Sequence, residues 1–340
     1  MSRSRFTLDV AAVRANARVL LRALDGAELW AVVKADGYGH GAVDVARAAL
    51  DGGATAFCVA SVGEALEVRA ALPAARLLVL GPTAENEVAQ AVAARLELVA
   101  ADGRIPEGVP VHLKLDTGMG RWGLSELAAP GGNVVGLMSH FASSESDPAF
   151  TRLQIGRFRA ATAAHASLTR HLANSAGALA YPESRFEAAR CGIALYGISP
   201  FGDDAAARGL VPALRWESQL SLVKRLAPGE STGYGRSFVA ERPTWIGVVP
   251  VGYGDGFRRD LTGTEVVVAG ERCRVVGAVS MDAFAVELPR ELPVGELVSL
   301  LGEGVSAEGL ARVAGTIAYE IVTGLRTREP RARRAVIDGG

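Results

Sequence analysis

A lysine closes the short apolar run Trp30-Ala-Val-Val-Lys34, and a glycine-rich turn, Ala-Asp-Gly-Tyr38-Gly-His-Gly41, follows it. The β-branched run reads as a buried strand and the residues after Gly41 as an amphipathic helix, which sets the amine at the rim of a core. Partial desolvation there lowers an ammonium pKa and leaves a nucleophile able to form a Schiff base. A snorkelling surface lysine is the ordinary alternative. Composition bears on the choice: among 36 lysines plus arginines, only Lys34, Lys114 and Lys224 are lysine. Arginine meets the demand for surface charge almost alone and cannot lose its proton near neutral pH, so a retained lysine weighs towards chemistry.

Other reactive side chains recur at the ends of apolar runs. In His112-Leu-Lys114-Leu-Asp116-Thr-Gly-Met-Gly-Arg121, alternation puts His112, Lys114 and Asp116 on one face, where three ionisable groups must pair or work. The Gly-Met-Gly turn lets Arg121 fold back as a carboxylate or phosphate clamp. His140 follows Leu137-Met-Ser, and His171 precedes Asn174-Ser175, where a helix start would let Ser175 donate to an anion. In Arg190-Cys-Gly192-Ile193 a guanidinium stands beside a glycine whose backbone N–H can approach a phosphate. Later, Gly233-Tyr234-Gly-Arg236, Gly252-Tyr253-Gly-Asp255-Gly and Ser280-Met281-Asp282 read equally well as turns or as site loops.

Strand and helix patterns alternate around these residues: a helix over 9–24, the Lys34 strand, strands over 56–60, 76–80, 96–100, 111–116, 134–139, 171–174 and 193–196, and a long helix over 149–169. About eight strands in 200 residues predict a parallel α/β fold, and reactive residues at successive strand ends favour a closed (β/α)8 barrel over an open doubly wound sheet. From about residue 213 short strands with Gly/Pro turns take over (218–223, 245–249, 265–269, 274–278, 297–301), and only 307–325 looks helical. The expected organisation is a barrel over 1–212 and a mainly β domain over 213–340. A net charge of −1 without basic blocks argues against nucleic-acid binding. Cys58, Cys191 and Cys273 lack metal-ligand spacing and read as reduced thiols. With neither a signal-type leader nor a membrane-length apolar run, the expectation is a soluble cytoplasmic protein.

Taken together, these segments resemble bacterial alanine racemase, the family that interconverts L- and D-alanine with pyridoxal 5'-phosphate. The likeness rests on Ala-Val-Val-Lys-Ala-Asp-Gly-Tyr-Gly-His-Gly at 31–41, Leu-Lys-Leu-Asp-Thr-Gly-Met-Gly-Arg at 113–121, Asn-Ser-Ala at 174–176 and Arg-Cys-Gly-Ile-Ala-Leu-Tyr-Gly at 190–197. It continues through the Tyr234, Tyr253 and Met281 segments. The resemblance implies a barrel plus a β domain, in a head-to-tail homodimer that builds each site from one subunit's barrel and the other's β domain. It also implies that Lys34 joins the cofactor as a Schiff base, and that Tyr38, Ser175 and the backbone of Gly192 and Ile193 hold its phosphate. Arg190 would face the pyridine nitrogen, His171 would stand next to Arg190, and His140 would pack on the ring. Arg121 would meet the phenolic oxygen and the substrate carboxylate, oriented by a carbamate on Lys114. Tyr234 and the N–H of Met281 would come from the partner subunit, with Tyr253 and Asp255 lining the approach.

Racemisation must remove a Cα proton on one face and return one on the other, so two bases on opposite sides of the cofactor suffice: Lys34 for the D-face, Tyr234 for the L-face. An arginine at the pyridine nitrogen disfavours ring protonation by juxtaposing two cations, which discourages transamination. The product would be D-alanine for peptidoglycan. Two departures stand out. Thr327 occupies the place of a phosphate-binding tyrosine found in many members, and the chain is short around 81–110. Rival readings are a serine-selective or broad-specificity racemase, a decarboxylase of the same architecture, and a non-catalytic cofactor-binding protein.

Overall fold

The computed structural model describes residues 3–127 and 131–339. Contacts divide the chain into two compact units, Ala11–Val211 on the one hand and Met1–Val10 with Pro212–Gly340 on the other. The first strand, β1 (Arg5–Asp9), has its partners in the second of these.

In the first unit eight parallel strands close into a barrel in chain order: β2 (Glu28–Val32), β3 (Ala56–Val59), β4 (Leu77–Val79), β5 (Glu97–Ala100), β6 (Val111–Lys114), β7 (Val134–Met138), β8 (Thr169–His171) and β9 (Ala188–Cys191). Closure runs from Glu28 opposite Ala188 to Ala31 opposite Cys191. Every residue of β3, β4, β6 and β9 is buried, as expected for strands covered on both faces. Helices cover the outside. Val62–Ala71 is capped by Ser61, whose hydroxyl accepts the Glu64 N–H, and Pro148–Thr162 by the carboxylate of Asp147, with proline in the first turn. Among the described residues no helix stands between β5 and β6 or between β6 and β7.

Six of the eight expected strands fall on barrel strands, and a seventh, expected over 171–174, meets β8 only at His171, because Asn174 caps the helix Ser175–Ala180. The eighth is Ala188–Cys191, and Ile193–Tyr196, read as that strand from its apolar run, is a 3-10 turn. Gly192 breaks the strand and Gly197, in the left-handed region at φ 76°, closes the turn. The long helix expected over 149–169 ends at Thr162, and a 3-10 turn follows.

The second unit is a nine-stranded sheet built from β1, β10 (Leu214–Gln219), β11 (Leu222–Leu226), β14 (Thr244–Val249), β15 (Glu265–Val268), β16 (Glu271–Val276), β17 (Phe284–Leu288), β18 (Leu297–Leu301) and β19 (Arg333–Ile337). Its order is β11-β14-β17-β16-β15-β18-β10-β1-β19, and β12 (Ser231–Thr232) pairs with β13 (Phe238–Val239) beside it. Only β1 and β19 run parallel. Residues 5–9, which the sequence reading set in the barrel domain, thus lie between β10 and β19, because Phe6 and Leu8 are wholly buried there and Phe6 stacks on Trp216 at 5.0 Å. The single strand expected over 218–223 is the end of β10 and the start of β11, with a turn between. The helix expected over 307–325 is two helices, Ala307–Ala314 and Ala318–Thr323, parted where Gly315 caps the first in the left-handed region. No described helix is long and apolar enough to cross a membrane.

Candidate active site

Lys34 stands two residues beyond β2, at the start of a turn with unusual backbone. Ala35, Asp36, Gly37 and Tyr38 have φ of 52, 50, 60 and 53°. For residues with a Cβ this left-handed conformation costs roughly 1–2 kcal/mol each, and it persists only where the surroundings over-determine it. Here they do. Glu64 accepts the N–H groups of Ala35 and Ala60 at 2.9 and 2.6 Å, and Asp36 accepts those of Ala42 through its side chain and Gly41 through its carbonyl. The turn aims Lys34 at the barrel rim, half-buried. Burial first, then the positive charge of Arg121, lowers its pKa against the opposing pull of Glu64.

Tyr38, 7% exposed, packs its ring against Tyr196 at 4.9 Å, and the Tyr196 hydroxyl donates to the Val32 carbonyl at 2.8 Å. Facing Tyr38 is Gly192: a Cβ there would lie 2.5 Å from the phenolic oxygen. Ser175, at the start of the turn of helix Ser175–Ala180, accepts the N–H groups of Gly192 and Ala194 at 3.1 and 3.3 Å. Accepting two donors leaves its own O–H proton for a third partner. Ile193 opens the following 3-10 turn and is buried. The phenol, the serine hydroxyl and the glycine backbone therefore meet at the ends of β2, β8 and β9, an oxygen- and N–H-rich cradle matched in chemistry to a phosphate.

Arg190 lies within β9, 3% exposed, and burial pushes its pKa down to about 10. Its two terminal nitrogens donate to Nδ1 and the carbonyl of His171 at 2.6 and 2.7 Å, to the Ser139 and Leu172 carbonyls at 2.7 and 3.3 Å, and to Nδ1 of His140 at 3.2 Å. Nε–H is its remaining donor among the described residues. Burial and Arg190 together hold both histidines well below the ordinary imidazole pKa, so both are neutral. His171 in turn meets His112 at 2.8 Å, and His112 meets Glu97 at 2.8 Å.

Lys114 ends β6 and is 5% exposed; burial first, then Arg121 and Arg190, push its pKa down to about 8. A neutral amine is the form that adds carbon dioxide. Lys114 and the exposed Arg121 both lie over the ring of Trp122, at 5.6 and 5.4 Å. Asp116, grouped with them by alternation, serves the turn instead: its carboxylate accepts the N–H groups of Gly118, Met119 and Gly120.

The remaining expected residues lie in the second unit. Tyr234 sits in a 3-10 turn between Gly233 and Gly235, both in the left-handed region, and is 72% exposed. A Cβ on Gly252 would lie 2.1 Å from the Ser280 carbonyl, so the Tyr253 and Met281 loops pack backbone to backbone, and Tyr253 and Gly254 donate to the carbonyls of Ser280 and Met281. Both side chains are half-exposed. Asp255 is buried: it accepts the Gly252 N–H at 2.9 Å and pairs with Arg331 at 3.3 Å and Arg3 at 3.6 Å. Thr327 is buried beyond helix Ala318–Thr323. Sequence reasoning passed over Glu97 and Tyr196, although a glutamate inside the apolar stretch Leu96-Glu-Leu-Val-Ala was a signal.

A half-buried lysine, a buried arginine and an anion cradle at the C-terminal ends of parallel barrel strands define a (β/α)8-barrel enzyme carrying an added β unit. Residues 8–200 match the family model for the alanine racemase N-terminal domain and residues 213–333 that for the C-terminal domain. The chain is 40% identical to the alanine racemase of Lactiplantibacillus plantarum over 96% of both proteins, and 40% identical to that of Symbiobacterium thermophilum over 95% of both. It superposes on the biosynthetic alanine racemase of Pseudomonas aeruginosa with a TM-score of 0.92, at 37% identity, covering 99% of this chain and all of the other. A structure of the Bartonella henselae alanine racemase with covalently bound pyridoxal phosphate matches at a TM-score of 0.88 and 26% identity, over 98% and 99% of the two chains. The chain belongs to the alanine racemase family, and its activity is that isomerisation.

Proposed function

We propose that the protein interconverts L- and D-alanine with pyridoxal 5'-phosphate by a two-base mechanism, in a cytoplasmic homodimer, as a source of D-alanine for peptidoglycan. The observation that carries this reading is the Lys34 amine, depressed in pKa, at the same barrel rim as the Tyr38–Ser175–Gly192 cradle. That donor set fits the cofactor's phosphate, and the side chain absent at Gly192 leaves the room the cradle needs. Bound there, the cofactor supplies the conjugated electron sink that acidifies the substrate Cα–H.

The chain's own residues do the rest. Lys34 holds the cofactor through its amine and takes or returns the proton on the D-face. Tyr38 and the Ser175 hydroxyl donate to the phosphate together with the backbone N–H of Ile193 and that of Gly192, which exchanges Ser175 for the phosphate. Arg190, its other donors committed to the barrel, offers Nε–H to the ring nitrogen and, as a fixed cation, keeps that nitrogen unprotonated. His140 packs on the ring, and His171 holds Arg190. Arg121 clamps the substrate carboxylate with the Met281 N–H, and a carbamate on Lys114 orients Arg121. Tyr234 serves the L-face. Its exposure on the second unit supports a site completed by a partner subunit, with Tyr253 at the approach.

Product analysis by chiral separation across alanine, serine and larger amino acids tests the reading. Alanine should be racemised fastest. A faster rate on serine would replace the substrate assignment, and no racemisation would overturn the function. Lys34→Ala should lose the yellow absorbance that the wild-type protein acquires with pyridoxal phosphate; its retention would remove Lys34 from the role.

A further inference from the structure

The hydrogen bonds behind Arg190 have only one permitted direction. A guanidinium nitrogen can only donate, so Nδ1 of His171, 2.6 Å away, accepts, and the single proton of neutral His171 is on Nε2. That proton points at Nδ1 of His112, 2.8 Å away, which must also accept. His112 therefore carries its proton on Nε2, 2.8 Å from Oε2 of Glu97. Burial raises the pKa of Glu97, but the bonds from His112 and Arg76 outweigh it and keep the carboxylate ionised. Arg76 holds the carboxylate from the other side with two hydrogen bonds, at 2.8 and 3.2 Å.

The surroundings leave the imidazoles no second position. A Cβ on Gly136 would lie 2.1 Å from Nδ1 of His112, so only glycine admits that ring. Trp30 lies against both imidazoles, at 5.7 and 4.5 Å, and Arg76 covers the tryptophan at 4.6 Å. Glu97 opens β5 and Arg190 lies one residue from the end of β9, so the wire crosses the barrel from its N-terminal mouth to the candidate site. Among the described residues, Glu97 is the carboxylate on which the hydrogen-bonded chain from the buried Arg190 ends.

We infer that Glu97 and His112 are positioning residues for Arg190: the carboxylate fixes the tautomers of His112 and His171 in series and so holds the guanidinium in place and in charge. The wire stands on the geometry; its effect on the reaction rests on the cofactor reading above. An amide at residue 97 removes the terminal anion. It can also turn its NH2 towards His112, which reverses both tautomers and sets a His171 N–H against the Arg190 N–H.

The test has two arms. In the wild-type protein without added cofactor, ¹⁵N NMR of labelled histidines at neutral pH should show His112 and His171 as neutral Nε2–H tautomers. A charged or Nδ1–H His112 would overturn the wire. In Glu97→Gln the ring nitrogens of His171, which Glu97 does not touch, should shift, the absorption band of the pyridoxal-phosphate-loaded protein should move, and kcat should fall about tenfold with KM little changed. His112→Phe, which cuts the wire one link nearer the site and leaves Glu97 paired with Arg76, should move the loaded spectrum and kcat the same way. It decides the case should Glu97→Gln not fold. Folded variants with unmoved His171 nitrogens in Glu97→Gln and unmoved spectra in both would overturn the proposal. A wild-type protein that takes up no pyridoxal phosphate would overturn the cofactor reading instead, with the tautomers still deciding the wire.

Discussion

The phenolic oxygen of Tyr38 stands where a Cβ on Gly192 would come within 2.5 Å of it. The three atoms nearest such a Cβ all belong to the Tyr38 ring and its hydroxyl. Gly192→Ala should displace the phenol from the cradle at about 1–3 kcal/mol, the usual range for overpacking. Affinity for pyridoxal phosphate, read by absorbance titration, should drop about tenfold or more, since each 1.4 kcal/mol is a factor of ten. An unchanged affinity would mean that Tyr38 does not hold the phosphate.

Tyr234→Phe should separate proton exchange from racemisation. Without the phenol, return of a proton on the L-face should slow by about 10²- to 10⁴-fold, the range for loss of a general acid–base group. Lys34 is untouched, so in D2O the Cα hydrogen of D-alanine should wash out by ¹H NMR much faster than L-alanine forms. Exchange and conversion that fall together would place both proton transfers on one group.

Lys114 sets a pH dependence of stability. Its pKa is about 8 in the folded protein against an ordinary 10.5, so between those values the unfolded chain binds more protons. Stability from this group therefore rises with pH through that window and is flat below it. In buffer free of carbon dioxide, thermal melts should show the wild type gaining on Lys114→Met as pH rises. A constant difference would indicate that the amine is not free, as a carbamate would make it.

Asp255 binds its own loop and two arginines from a buried position. Asp255→Asn keeps the shape and removes the charge, and should cost about 2 kcal/mol, the scale of a charge-assisted hydrogen bond. Because it holds the Tyr253 loop at Gly252, and its two arginines also pair with Asp282 beside Met281, KM for alanine should rise with the fall in melting temperature. A stability loss with KM unchanged would confine Asp255 to the fold.

Local chemistry made much of this molecule legible. Strand runs followed by lysine, histidine or serine marked the barrel rim, because a buried apolar run that ends on a polar group has few places to be. What stayed hidden was set by partners distant in sequence. Phe6 and Leu8 are apolar in either domain, and only pairing with Trp216 and Val336 assigns them. Ile193–Tyr196 is apolar enough for a strand, and the glycines at 192 and 197 decide for a turn. Glu97 sits at the beginning of its strand, away from the rim that drew attention, and its meaning emerges only with His112 beside it. Asp116 shows the converse: a residue with the right type and spacing that the backbone of its own turn consumes.

The placement of β1 also bears on how the protein is made. Phe6 leaves the ribosome about two hundred residues before Trp216, its partner across the sheet, and longer still before Arg334 on its other side. The whole barrel is synthesised in the interval. The barrel can close on its own strands, whereas β1 has both edges unpaired until β10 is made and one edge unpaired until β19 completes the sheet. Fragments should divide accordingly: residues 11–211 contain every strand of the barrel, while residues 213–340 leave a gap between β10 and β19 that a peptide of the first ten residues would fill.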